Sequence, residues 1–129
     1  MKSVLYIGQD PKTVDFSDPG LPPGLTSDII QAGIDLAERQ LNERGWQADL
    51  CMFTPDEAGL ARLTAQLSAR SYDCVVIGGG LRMPARTLPL FETVLNAVHA
   101  QQPNAAIAFN TRPDDTADAA ARWIDRARA

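Results

Sequence analysis

Four apolar runs alternate with four stretches of helical periodicity in this chain of 129 residues, and this alternation constrains the fold more than any other feature. The runs occupy residues 4–7, 46–53, 72–77 and 105–109. A regular order of strand and helix is typical of a parallel sheet with helices on both faces. The sequence therefore predicts an α/β fold, a three-layer, doubly wound parallel sheet in a single domain covering residues 1–129.

The composition of the runs predicts the order of the strands. The run 72–77 is short and rich in β-branched residues, which is typical of a central strand buried on both faces. The run 46–53 alternates less regularly, as expected of an edge strand. Because crossover connections are right-handed, the simplest order is 2-1-3-4. This is a flavodoxin-like or receiver sheet truncated before its fifth strand.

Capping residues predict where the helices begin and end. The first helix, over residues 27–44, stops at Gly45. Thr54 is expected to be the N-cap of the second helix, with Pro55 at its first position. Pro84 or Thr87 opens the third helix, and the fourth lies near the end of the chain.

Charge and hydropathy exclude two classes of partner. Sixteen acidic side chains against twelve basic ones give a formal charge of −4, and there is no basic block of the kind that nucleic-acid binding requires. No apolar run approaches the roughly 20 residues that span a bilayer. The chain is expected to begin at Met1 without a leader segment and to be cytoplasmic, with no nucleic-acid or membrane partner.

The two cysteines predict neither a metal site nor a disulfide. Cys51 and Cys74 fall inside two apolar runs, on strands that the first strand is expected to separate. Such thiols are expected to be buried and reduced. His99 is the only histidine and is not enough to complete a zinc site. We therefore expect no metal and no cofactor.

A ligand in such a sheet is expected beyond the carboxyl ends of strands one and three, where the strand order reverses. Asp10 follows the first strand there, and a glycine-rich turn with an arginine follows the third. The glycines let backbone N–H groups approach an anion, and the arginine can bind it with two N–H groups. At the end of the fourth strand, an Asn-Thr-Arg segment points to the same rim. The candidate ligand-binding residues are Asp10, Gly78, Gly79, Gly80, Arg82, Asn110, Thr111 and Arg112.

Each of these motifs has an ordinary structural interpretation as well. The glycines can serve only to turn the chain, and acidic residues in the first loop favour turns. Asn110 and Thr111 are common helix-capping residue types.

Two well-known uses of this fold do not match the residues. Of the acidic and basic groups that a receiver domain needs, only Asp10 is in place, and no lysine follows Lys12. A flavodoxin would have a Ser/Thr-rich phosphate loop after the first strand, where this chain has Asp10-Pro11-Lys12-Thr13. Phosphoryl transfer of the receiver type and flavin binding are therefore disfavoured.

Short segments spread over nearly the whole chain resemble a family of small, functionally uncharacterised bacterial proteins with a flavodoxin-like or receiver-like α/β fold. The segments include Val4-Leu5-Tyr6-Ile7-Gly8, Val75-Val76-Ile77-Gly78-Gly79-Gly80-Leu81-Arg82 and Phe109-Asn110-Thr111-Arg112-Pro113. The resemblance implies the fold and no particular activity.

Three functions remain open. The first is a binding or regulatory module that holds a small anionic ligand at the rim. The second is a Mg²⁺-dependent hydrolase of a small phosphate or carboxylate compound, with Asp10 or Asp15 as base or metal ligand. The third is a homodimeric interaction protein. A dimer is expected because the run 105–109 has no charge or proline to protect it as an edge strand, unless the final helix covers that edge.

Overall fold

The computed structural model describes residues 1–125 and contains one parallel sheet in the order β2-β1-β3-β4. The predicted α/β class and strand order are both confirmed. The strands are β1 (Ser3–Gln9), β2 (Gln47–Phe53), β3 (Cys74–Ile77) and β4 (Ala106–Phe109). β3 is buried at every position, as a central strand should be.

Within residues 1–125, five helices flank this sheet, one more than expected. They are α1 (Ser27–Glu43), α2 (Glu57–Ala69), α3 (Gly79–Arg82), α4 (Leu88–Gln101) and α5 (Thr116–Trp123). The additional helix, α3, is a single turn formed by the glycine-rich segment after β3. Short 3-10 turns occupy Pro11–Thr13, Ala85–Thr87 and Pro113–Asp115.

The helices form one layer on each face of the sheet. Side chains of β1 alternate between the two faces, with Val4 and Tyr6 on one and Leu5 and Ile7 on the other. The first set packs with α1 and α5, and the second with α2 and α4. The core is therefore divided into two apolar clusters on either side of a sheet whose inner strands are fully covered.

The first helix ends as predicted, and the second begins later than predicted. Gly45 follows α1 with a φ of 81°, a left-handed conformation that glycine adopts without strain. The N-cap of α2 is Asp56 and not Thr54. The Asp56 carboxylate accepts the Gly59 N–H at 2.8 Å, and the Thr54 hydroxyl donates to that same carboxylate. The nearer aspartate therefore takes the cap, and Pro55 lies outside the helix.

The third expected helix corresponds to α4. Of the two residues predicted to open it, Thr87 is correct and Pro84 is wrong. Thr87 is the N-cap residue of α4, but its hydroxyl donates to the Leu81 carbonyl at 2.7 Å and makes no cap hydrogen bond. Pro84 precedes a separate 3-10 turn.

Both cysteines are free and lie on the strands that flank β1, as predicted. Cys74 is buried as expected, but Cys51 is only partly buried because it lies on the edge strand β2. Burial is the main cause that raises the pKa of the Cys74 thiol to about 12 and also raises that of Cys51. Within residues 1–125, no helix combines the length and the apolar character needed to cross a bilayer.

Candidate functional site

Two clefts meet above the carboxyl ends of β1 and β3, where the strand order reverses. The charged cleft, of about 180 Å³, lies between the loop after β1 and the segment that leads into α4. The apolar cleft, of about 100 Å³, lies between the same loop and the start of the 3-10 turn after β4. Both clefts are lined by Gln9, Val14, Leu21 and Gly80.

The two clefts differ in chemistry. The charged cleft is also lined by Asp15, Asp18 and Arg86. The apolar cleft presents mainly carbon and sulfur surfaces, with polar groups at its rim. Its further lining residues include Tyr6, Leu25, Ile30, Ile34, Met52, Met83, Thr111 and Arg112.

Gly80 lies at the junction of the clefts without a structural reason to be glycine. Its φ is outside the left-handed region, and a Cβ built on it would meet no atom within 4 Å. Its N–H has no hydrogen-bond partner among the described residues. A backbone donor is thus exposed at a position where any side chain would extend into the clefts.

The two preceding glycines have packing roles. A Cβ on Gly78 would lie 3.2 Å from the Ile7 carbonyl oxygen, and one on Gly79 would lie 3.2 Å from the Thr111 carbonyl oxygen. These contacts are tighter than most side chains tolerate. Gly78 and Gly79 therefore bring the turn close to β1 and to the end of β4.

Asn110 supports this turn from below and does not line either cleft. The side chain is buried, and its Oδ1 accepts the Gly79 N–H at 2.7 Å. Its Nδ2 donates to the Thr116 hydroxyl at 2.9 Å and to the Tyr6 hydroxyl at 3.2 Å. Burial is the main cause that raises the pKa of Tyr6, so this hydroxyl stays neutral at physiological pH.

Arg82 is held beside Asn110 and is not among the residues that line the two clefts. Its Nη2 donates to the Asn110 carbonyl at 2.6 Å, and its guanidinium lies 5.8 Å from the centre of the Phe109 ring. No carboxylate of residues 1–125 forms an ion pair with Arg82. These two contacts hold the guanidinium in place, and most of its N–H groups remain available to donate hydrogen bonds.

The segment after β4 already holds a carboxylate from its own chain. Asp115 accepts the Thr111 N–H at 3.0 Å, the Arg112 N–H at 3.3 Å and the Thr111 hydroxyl. Partial burial would raise the pKa of Asp115, but these hydrogen bonds outweigh it and lower the pKa. The backbone donors of Thr111 and Arg112 are therefore satisfied internally, and only the Arg112 side chain extends outward, paired with Asp114 at 2.6 Å.

Arg86 ties the loop after β1 across the charged cleft. Its guanidinium pairs with Asp15 at 2.8 Å and with Asp18 at 3.4 Å. A Cβ on Gly20 would lie 2.9 Å from the Met83 carbonyl oxygen, so this loop approaches the α3–α4 connection closely. We call this arrangement the Arg86 clasp.

Of the sequence-predicted residues, Gly80, Thr111 and Arg112 line the apolar cleft. Asp10 lines neither cleft, and its carboxylate accepts the Lys12 N–H at 3.0 Å as the cap of a 3-10 turn. Among residues 1–125, no three or more His, Cys, Asp or Glu side chains are grouped closely enough to hold a metal ion.

Sequence reasoning missed the apolar lining of the site. Met52 has the pattern of an ordinary strand residue, and only the pairing of β1 with β2 brings it to the cleft that Gly80 lines. Met83 follows α3 and has the pattern of an ordinary loop residue. Asp115 had a usable signal, since an acidic residue three positions after Arg112 is typical of helix-start capping.

No protein-family model matches the chain, and no curated protein matches it.

Proposed function

We propose that this protein is a small-molecule-binding or regulatory module that holds an amphipathic anionic ligand where the two clefts meet. One observation carries the proposal. Gly80 has neither a backbone nor a packing requirement for glycine, yet it exposes an N–H that no group of residues 1–125 accepts, at the point where open α/β sheets bind ligands.

The lining of the clefts supports the chemical class of the ligand. An apolar group fits against Met52, Met83 and the other apolar side chains of the apolar cleft. A carboxylate or phosphate on that group would then accept the Gly80 N–H and a charge-assisted hydrogen bond from Arg112. Arg112 is paired with Asp114 on an exposed surface, where such pairs contribute little and rearrange readily.

Arg82 has a positioning role in this proposal. It fixes the Asn110 carbonyl and therefore the segment that presents Thr111 and Arg112 to the cleft. Its free N–H groups also add positive charge to the rim, since no carboxylate neutralises them among the described residues.

A Mg²⁺-dependent hydrolase is the second candidate, and the acidic residues favour it less. Hydrogen bonds from Ser17 are the main cause that lowers the pKa of Asp15, and Arg86 lowers it further. A carboxylate with a lowered pKa is a weak general base near neutral pH. Asp10 is occupied by the Lys12 N–H and lies outside the cleft linings.

The same proposal extends to the family and the cellular location of the protein. It places the chain in the bacterial family that the segments resemble, whose expected α/β fold agrees with the four-stranded parallel sheet, and it places the protein in the cytoplasm. Homodimerisation is argued separately below.

Thermal-shift screening tests the proposal. The panel contains inorganic phosphate, carboxylates of increasing chain length and phosphate monoesters, each with and without Mg²⁺. We expect at least one amphipathic anion to raise the melting temperature of the wild type and of R39A but not of R112A. Arg39 is an exposed arginine of α1, which makes it a matched control. Equal shifts in both variants, or no shift with any compound, would contradict the proposal, and Mg²⁺-dependent turnover would favour the hydrolase.

A further inference from the structure

β4 is an edge strand of the sheet, and among residues 1–125 the Phe109 carbonyl is its only outward backbone group with a partner, the Arg122 side chain. The Ala106 N–H donates to the Asp73 carbonyl at 3.0 Å, so the backbone of Ala106 faces β3. In a parallel strand, alternate residues face opposite neighbours, so Ala108 also faces β3. The N–H and C=O groups of Ile107 and Phe109 therefore point away from the sheet.

The sheet has a second edge, β2, but that strand is protected. Asp49 lies within it, accepting the Tyr72 hydroxyl at 2.7 Å and pairing with Arg70 at 3.3 Å. A charge inside an edge strand discourages pairing with another chain. β4 has the sequence Ala-Ile-Ala-Phe and contains no such residue.

We propose that a second copy of this chain pairs with β4 in antiparallel orientation to form a twofold dimer with a continuous eight-stranded sheet. The edge is self-complementary in one register. With Ala108 of both copies at the twofold axis, Ile107 of each chain faces Phe109 of the other. Each such pair exchanges two N–H···O bonds, so all the outward groups of both residues are satisfied.

The distribution of charge favours this orientation. Arg82 and Arg122 lie at the carboxyl end of β4, where Arg122 donates to the Phe109 carbonyl at 3.0 Å. In this register, antiparallel pairing places Phe109 of each copy opposite the uncharged Ile107 of the other, so the two arginine pairs lie toward opposite ends of the shared edge. The Phe109 carbonyl has two lone pairs, so it can keep the arginine and accept a partner N–H.

Apolar side chains beside the edge extend the contact. The Phe91 ring of α4 lies 5.8 Å from the Phe109 ring, and Phe91 and Leu95 are only partly buried on the same side of the sheet as Ile107. The α5 helix packs on the opposite face with α1, and it does not replace the missing neighbour of β4. This inference is independent of the proposed ligand.

A pair of variants separates backbone pairing from side-chain packing. I107P and I107A both remove the isoleucine side chain, but only I107P removes the outward N–H. We expect the wild type and I107A to sediment at micromolar concentration with twice the 14.0 kDa mass of one chain, and folded I107P to sediment as a monomer. A monomeric wild type, or equal dimerisation of the two variants when folded, would overturn the proposal.

Amide exchange of the wild type gives a second test that needs no variant. The Ile107 and Phe109 amides should exchange slowly in concentrated protein and faster after dilution below the dimerisation range. Fast exchange of both amides at every concentration would overturn the proposal, even where I107P fails to fold.

Discussion

The Asn110 side chain accepts the Gly79 N–H at 2.7 Å, and this hydrogen bond joins the end of β4 to the turn that follows β3. Both groups are buried. A buried N–H that loses its partner costs free energy, so the bond fixes the direction in which α3 starts. Through it, the position of Gly80 depends on a side chain 30 residues further along the chain.

N110A should therefore destabilise the fold strongly. The variant leaves the Gly79 N–H without its acceptor and opens a space beside Tyr6 and Thr116. We expect the free energy of unfolding to fall by about 2 kcal/mol or more, as measured by urea denaturation. N104A changes an exposed asparagine and should leave stability nearly unchanged; equal losses in the two variants would contradict this role.

R86A should release the loop after β1 with little loss of stability. Surface ion pairs contribute only about 0–1 kcal/mol, so the melting temperature should barely change. Hydrogen exchange of residues 14–21 should become faster, because the two ion pairs of the Arg86 clasp hold this loop against the α3–α4 connection in addition to the close approach of Gly20. R62A, in an exposed part of α2, is the control. Unchanged exchange in R86A would show that the clasp does not hold the loop.

The contribution of Asp115 to stability should disappear in acid. Its pKa in the folded protein is lowered from 3.8, so its stabilisation is complete above the unfolded-state pKa and is lost as the pH falls through the folded-state pKa. The difference in free energy of unfolding between the wild type and D115N should be constant near neutral pH and shrink below about pH 4. A difference independent of pH would show that the charge of Asp115 is not what stabilises this segment.

Neither tyrosine hydroxyl should ionise at pH 10, the ordinary pKa of tyrosine, while the protein is folded. Burial is the main cause that raises the pKa of Tyr6 from 10.0 and that raises the pKa of Tyr72 to about 12. The stability that Tyr72 contributes is complete below pH 10 and is lost as the pH rises through about 12. Ultraviolet titration should show phenolate formation only above pH 10, and for Tyr72 near pH 12. A tyrosine that titrates at pH 10 in folded protein would contradict the burial of its hydroxyl.

The sheet could be predicted from sequence because its signals are local. Four apolar runs separated by helical periodicity define a parallel sheet, and the β-branched composition of residues 72–77 identifies the central strand. The start of α2 was ambiguous, since Thr54 and Asp56 are both good caps two positions apart. The choice depends on which side chain reaches the Gly59 N–H.

The site was only partly predictable because its pairings are long-range. Sequence placed Gly80 and Arg112 at the correct edge of the sheet, but Arg82 and Arg86 look alike along the chain. In the structure one binds the Asn110 carbonyl and the other binds Asp15 and Asp18. The partner of each arginine depends on how loops more than 25 residues apart pack together. Hydrophobic periodicity carries no information about that packing.

Ligand binding measured with Gly80 blocked tests the central claim most directly. G80L adds a side chain at the junction of the clefts, and its Cβ meets no atom within 4 Å. A58L adds the same side chain to the exposed first turn of α2 as a control. Calorimetric titration with the strongest compound from the anion panel should show binding to the wild type and A58L and at least tenfold weaker binding to folded G80L. Equal affinity in all three proteins would show that the junction at Gly80 is not the binding site.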